Sequence, residues 1–205
     1  MIIKNIEFND KKDKFVIETD TKESFLLSYN DFERYKIHNE MTIDDELYTH
    51  LLNISKFTEA FEISLNFLSY KLRTEKEIIA KLKSKKFSIE IIDEVITKLK
   101  NLDLLDDYNY AKIFINDKIN LTNYSKRRII NDLYQKGIDK RIYEDYLEDV
   151  FGYNMELDKA TQIVETKINI WKEKHEGYDL KNKIVTFLLQ KGFSYDVAKQ
   201  VSGMY

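Results

Sequence analysis

The sequence predicts a mainly α-helical protein of three tandem three-helix repeats, preceded by a small α+β N-terminal module with a short antiparallel sheet. Three observations carry this reading. Residues 1–27 alternate short apolar runs with polar clusters. From about residue 54 the apolar spacing is helical, in a chain with no proline and only five glycines. One pattern of apolar residues and lysine then recurs three times, at intervals of 51 and 55 residues.

In the first segment the apolar runs are Ile2 and Ile3, Ile6 with Phe8, Phe15 to Ile17, and Phe25 to Leu27, with turn-like polar clusters at 9–13 and 19–23. This predicts a three-stranded meander. So small a sheet needs a cover, and residues 29–37 and 44–53 are predicted as two short helices supplying it, the second capped by Thr42 or Asp44. The module is therefore drawn as 1–53, followed by repeats at 54–105, 106–154 and 155–205.

The repeats align on Leu82, Leu133 and Leu188. Each anchor follows two aliphatic residues, Ile78 and Ile79, Ile129 and Ile130, or Ile184 and Val185, and each has a lysine three residues on: Lys85, Lys136 and Lys191. Next come Lys86, Gly137 and Gly192, where a helix should end in the left-handed region that glycine enters without Cβ strain and Lys86 must tolerate. Phe87, Ile138 and Phe193 should tuck under the turn, and Ser88, Asp139 and Ser194 should cap the next helix. That helix carries apolar pairs at Ile91 and Val95, Ile142 and Tyr146, and Val197 and Val201. Upstream, a first helix per repeat is predicted to begin near Ala60, Ala111 and Ala160, with its apolar face at Ile63, Phe114 and Ile163 and at Leu68, Ile119 and Ile168. Six extra residues in the third repeat are placed around 171–177, in the first helix or its loop.

Composition excludes whole classes of chemistry. With no cysteine and three histidines, disulfides, thiolate nucleophiles and cysteine-based metal sites are out, so no metal or cofactor is expected. No Gly-rich phosphate loop or nucleophile elbow occurs, and the chain is read as a non-enzyme without catalytic residues. The adjacent Asp106 and Asp107 could hold a cation, but at a helix start they fit capping better. Thr74 and Glu77 have capping-box spacing. Charges come too early for a signal peptide, and no stretch reaches the roughly 18 uncharged residues of a membrane span. A cytoplasmic monomer is expected.

The net charge of −3 is uneven: residues 1–59 carry −5 and the remainder +2. Lys126, Arg127 and Arg128 fall in the first turn of a helix, where the dipole opposes cations and a partner would be welcome. With Arg73, Lys81, Lys85, Lys86 and Lys136 they form the candidate partner- or DNA-binding set. An ordinary solvated helix surface is the alternative for the same residues. No base-reading motif accompanies them, so nucleic-acid contact would be independent of sequence. Tyr108, Tyr110, Tyr124, Tyr134, Tyr143, Tyr146 and Tyr153 crowd the middle repeat and are expected mostly in packing.

The residues Tyr70, Lys71, Leu72 and Arg73 with the capping box, then Leu104, Leu105, Asp106, Asp107, Tyr110 and Ala111, then Arg128, Ile129, Leu133, Lys136 and Gly137, together resemble the RecX family of bacterial recombinase regulators. The resemblance covers roughly residues 60–205. Lys86 stands where the family's turn glycine would be, and Ser125 where glycine is common. The resemblance implies repeats forming a curved, elongated rod that binds the RecA recombinase, above all its filament on single-stranded DNA. It also implies lowered ATPase, strand-exchange and coprotease activity, hence roles in recombination, DNA repair and the SOS response. A helix-turn-helix DNA-binding regulator is the rival from another class. Against it stand the acidic third helices, with Glu90, Asp93 and Glu94 in one and Glu144, Asp145, Glu148 and Asp149 in another.

Overall fold

The computed structural model describes all 205 residues, Met1–Tyr205. The chain divides into two compact units, Met1–Leu72 with Ile78–Leu104 and Arg73–Glu77 with Leu105–Tyr205.

The first unit opens with the expected meander: β1 (Ile3–Asn9), β2 (Lys14–Thr19) and β3 (Ser24–Leu27), antiparallel in the order β1-β2-β3. The register pairs Ile6 with Ile17 and Phe15 with Leu27, and Ile3, Ile17, Phe25 and Leu27 turn to the covered face. Helix α1 (Tyr29–Arg34) is capped by the Ser28 hydroxyl, which accepts from the Asp31 amide. Helix α2 (Asp45–Tyr70) is capped by Asp44, whose carboxylate accepts from the Leu47 amide at 2.8 Å. Ile37, Ile43 and Leu51 close the core over the sheet.

Two helices were expected between residues 44 and 70, and α2 is one helix of 26 residues. The boundary drawn after residue 53 lies inside it. Without glycine or proline nothing local breaks this helix, and its polar residues are engaged elsewhere. Ser55 Oγ accepts from the Leu26 amide of β3 at 2.9 Å, and Thr58 donates back to the Ile54 carbonyl. Ser55 thus fastens the helix to the sheet.

Helices α3 (Glu75–Ser84) and α4 (Ile89–Asn101) complete the first repeat. The second repeat is α5 (Asp107–Leu121), α6 (Lys126–Gln135) and α7 (Lys140–Val150). The third is α8 (Tyr153–Lys172), α9 (Gly177–Gln190) and α10 (Tyr195–Ser202). The nine helices α2–α10 therefore fall into three sets of three, as the repeats predict.

The anchor turns have one geometry. Leu82, Leu133 and Leu188 are fully buried, and their carbonyls accept from the amides of Phe87, Ile138 and Phe193 at 3.4, 3.1 and 3.1 Å. The intervening residues are left-handed: Lys86 at φ 65°, Gly137 at 83° and Gly192 at 86°. These are three Schellman motifs, with Lys85, Lys136 and Lys191 at the last helical carbonyls, where a cation favours the dipole. Ser88, Asp139 and Ser194 cap the following helices as expected.

Three details of the spacing are corrected. In the second repeat the buried residues of α7 are Tyr143 and Leu147, one position beyond Ile142 and Tyr146. In the first helices the fully covered position is four residues past the alanine, at Ser64, Ile115 and Val164, while Ile63, Phe114 and Ile163 are half-buried. In α7 the i, i+4 spacing holds but the buried stripe lies one residue on, at the repeat positions where Ile92 and Ile96 of α4 and Ala198 and Ser202 of α10 are also buried. The six extra residues of the third repeat add two to the end of α8 and four to the start of α9, leaving the loop unchanged in length.

Of the seven tyrosines of the middle region, only Tyr143 is fully buried, and Tyr134 is 73% exposed. No helix is long and apolar enough to cross a membrane.

Candidate functional site

Within the second unit, two helix starts dock on two anchor turns in the same way. Thr74 and Ser125 are buried hydroxyl residues at equivalent repeat positions. Thr74 Oγ1 donates to the Lys136 carbonyl at 2.9 Å, and Ser125 Oγ donates to the Lys191 carbonyl at 2.8 Å. Each oxygen also accepts from its own helix, from the Glu77 amide at 3.4 Å and the Arg128 amide at 3.3 Å. A hydroxyl is the smallest group that both donates and accepts, so one side chain caps a helix and satisfies the free carbonyl of another.

The glycines make this approach possible. A Cβ on Gly137 would stand 2.5 Å from Lys76 Cδ and 2.7 Å from Lys76 Cβ. On Gly192 it would stand 2.9 Å from Ser125 Oγ and 3.6 Å from Arg127 Cβ. Close packing and a positive φ both demand glycine at these two turns.

Charge distinguishes the two contacts. At the first, Lys76 donates to the Gln135 carbonyl at 2.9 Å, and Lys136 pairs with Glu77 at 2.8 Å. Partial burial raises the Glu77 carboxyl, but the bond from Lys136 and the Thr74 amide more than offset it, leaving it below the ordinary glutamate value. The same bond, working against burial, holds the Lys136 ammonium above its ordinary value. At this contact Glu77 neutralises Lys136, and Lys76 is spent on a backbone carbonyl.

At the second contact Arg128 occupies the repeat position of Glu77. Its guanidinium lies 3.7 Å over the Tyr124 ring and donates to the Tyr124 hydroxyl at 3.0 Å. Lys191, equivalent to Lys136, rests 5.6 Å over the Phe187 ring. Arg127, Arg128 and Lys191 form no ion pair with any carboxylate. Beside them opens a cavity of about 430 Å³, also lined by Asn131, Gln190 and Gly192.

The eight predicted site residues therefore separate. Arg127 and Arg128 share the open cavity. Lys126 points elsewhere and pairs with Glu148 of α7 at 2.6 Å, so an internal carboxylate relieves part of the cost of a cation in this turn. Lys136 is consumed by Glu77. Arg73 is half-buried and lies close enough to Glu77 to help lower its pKa. In the first unit Lys81 sits 5.5 Å over the Phe67 ring, while Lys85 and Lys86 are exposed at the end of α3.

Lys191 was missed as a site residue, although the lysine after each anchor leucine was visible in the alignment. Asn131 gave no signal, and Tyr134 stood out only as one of the clustered tyrosines expected mostly in packing. Their positions matter only because α6 turns them outward beside Arg127.

The carboxylate pair acts as caps. Asp106 accepts from the Tyr108 and Asn109 amides at 2.9 and 3.0 Å, and Asp107 accepts from the Glu75 amide at 2.9 Å. Buried Lys159 has the opposite task, donating to the Ile119 and Thr122 carbonyls at 2.5 and 2.7 Å at the C-terminal end of α5, and burial lowers its pKa. Both are structural uses of charge at helix ends.

Comparison with known proteins matches this architecture in order. The models for the first, second and third three-helix domains of RecX match residues 60–99, 106–147 and 154–201. The chain is 91% identical to regulatory protein RecX of Finegoldia magna over 205 residues, covering 100% of both. It is 33% identical to regulatory protein RecX of Caldanaerobacter subterraneus over 196 residues, which is 96% of this chain and 95% of the relative. A crystal structure of regulatory protein RecX shares the fold at a TM-score of 0.80 and 24% identity, over 98% of each chain. The crystal structure of RecX from Lactobacillus salivarius matches at a TM-score of 0.64 and 35% identity, over 71% of this chain and 94% of the other. Three matched domains in sequence order, on helices that repeat the same turn and cap, make this chain a member of the RecX family of regulatory proteins.

Proposed function

We propose that the protein is a non-catalytic regulator that binds the RecA recombinase and its filament on single-stranded DNA, lowering ATPase, strand-exchange and coprotease activities. The observation carrying this reading is the ordered match of all three RecX domains. Binding draws on the cationic residues Arg73, Lys81, Lys85, Lys86, Lys126, Arg127, Arg128 and Lys136, with Arg127 and Arg128 foremost because they share one open cavity and pair with no internal carboxylate. A regulator of this kind acts by mass action on assembled filament, so inhibition saturates as filament sites fill. It works in the cytoplasm, as a monomer.

The test is a titration of the purified chain into the RecA of its own organism on single-stranded DNA, following ATP hydrolysis and co-sedimentation. ATPase falls and saturates with bound chain. An ATPase unchanged at excess chain would sink the reading.

A further inference from the structure

The two equivalent contacts of the second unit serve as each other's control. The same hydroxyl bridge and the same glycine turn are present in both, yet one has a carboxylate at its centre and the other has an arginine in that place. Where Glu77 stands, Lys136 is paired with it at 2.8 Å. Where Arg128 stands, three cations surround an open cavity and none meets a carboxylate. An anion from outside would complete the second contact as Glu77 completes the first.

We propose that the cavity bordered by Arg127, Arg128, Asn131, Lys191 and Gly192 is a phosphate site for a single-stranded nucleic acid backbone, with Tyr134 as the stacking surface for a neighbouring base. The inference rests on the reading of the chain as a partner of single-stranded DNA filaments, and it specifies where the strand is held.

Three features select a phosphodiester chain over a protein carboxylate. One carboxylate neutralises one of three cations, whereas successive phosphates neutralise all of them, and guanidinium groups match phosphate oxygens in pairs. The amides of Asn131 and Gln190 border the same space and add neutral donors. Arg127, Asn131 and Tyr134 follow one another at helical spacing along one face of α6, and the Tyr134 ring is 73% exposed. The helix rise places that ring roughly 10 Å along the axis from Arg127, within reach of a base one or two nucleotides from the bound phosphate. Only an unpaired base offers its face to such a ring, which favours a single strand.

The substitution Arg128→Glu rebuilds the paired contact, giving Lys191 the carboxylate that Lys136 already has. Its melting temperature, expected at or above that of the wild type, verifies the fold. Binding of a fluorescein-labelled oligothymidylate of about 20 nucleotides to the full chain is then followed by anisotropy at several salt concentrations. Arg128→Glu should weaken binding about tenfold or more and make the salt slope shallower by about 1.4 to 2, the release expected for two or three single-strand phosphates. Tyr134→Ala should weaken it about fivefold or more with the slope unchanged, because stacking releases no counterions.

Oligothymidylate affinity and slope unchanged in a folded Arg128→Glu chain would overturn the proposal. Unchanged oligothymidylate binding with weakened capture on RecA filaments would also overturn it, assigning the cations to a protein carboxylate. If the wild-type chain holds oligothymidylate through this cavity but leaves RecA ATPase untouched, the phosphate site stands and the functional reading falls.

Discussion

Leu133, Lys86 and Gly192 occupy related places in the repeat and answer to different physics. Leu133 is fully buried among Ile129, Ile138, Tyr143 and Leu147. Leu133→Ala should cost about 2 to 5 kcal/mol, from lost transfer free energy and the cavity left behind. A urea midpoint matching the wild type would show that the repeat is misaligned. Lys86 holds φ 65° in an exposed turn, a conformation costing a side chain of order 1 kcal/mol or more. Lys86→Gly should therefore stabilise by about 0.5 to 1 kcal/mol after the added freedom of the unfolded chain is subtracted. At Gly192 the sign reverses. Alanine there meets both a φ of +86° and the Ser125 hydroxyl at 2.9 Å, and should destabilise by about 1 to 3 kcal/mol in thermal or denaturant unfolding.

At the scale of elements, helix ends are the points of fixation. Thr74 and Ser125 each join a helix start to the carbonyl of a different helix, so loss of either hydroxyl removes the bond to that carbonyl, and at Ser125 the Arg128 amide loses its acceptor too. The Glu77–Lys136 pair adds an electrostatic element with a defined pH range. The Glu77 carboxyl is depressed in the folded chain, so its contribution is present above the ordinary glutamate value and is lost as pH falls through the lower folded value. The Lys136 ammonium is raised, so its contribution is present below the ordinary lysine value and is lost as pH rises through the higher folded one. Glu77→Gln should cost roughly 1 kcal/mol near neutral pH, the upper range for a partly exposed pair. Urea unfolding of the variant and the wild type should converge as pH drops below the ordinary carboxylate range. A difference constant down to that acid limit would show that the contribution is steric.

At the scale of the whole molecule, net charge conceals the active distribution. The acidic bias lies in residues 1–59, while the cations of α6 and the α9 turn include three with no carboxylate partner. Replacing Lys126, Arg127 and Arg128 together by Gln should weaken binding to RecA filaments and flatten its salt dependence. The triple variant should be no more stable than the wild type, because it loses the Lys126–Glu148 pair and the Arg128–Tyr124 stack along with the unfavourable charges. Filament co-sedimentation across a salt series checks the first expectation, and thermal unfolding the second. Unaltered filament affinity would reduce these cations to solvated surface.

The strands, the three-by-three helix count, the anchor leucines and their caps were legible in the sequence. Each is specified locally: alternation marks a half-covered strand, an anchor with its cap marks a helix end, and recurrence makes both hard to mistake. The continuity of α2 was not legible, because the polar residues that suggested a break find partners on β3 and along the helix itself. Nor could the sequence divide the candidate cations. Lys126, Arg127 and Arg128 are consecutive, yet helical rotation sends Lys126 to Glu148 and leaves the two arginines beside the α9 turn. Only the tertiary structure decided which charges are already spent, because an ion pair depends on which helix end packs against which turn, and Lys126 and Glu148 stand 22 residues apart in the chain, Glu77 and Lys136 59.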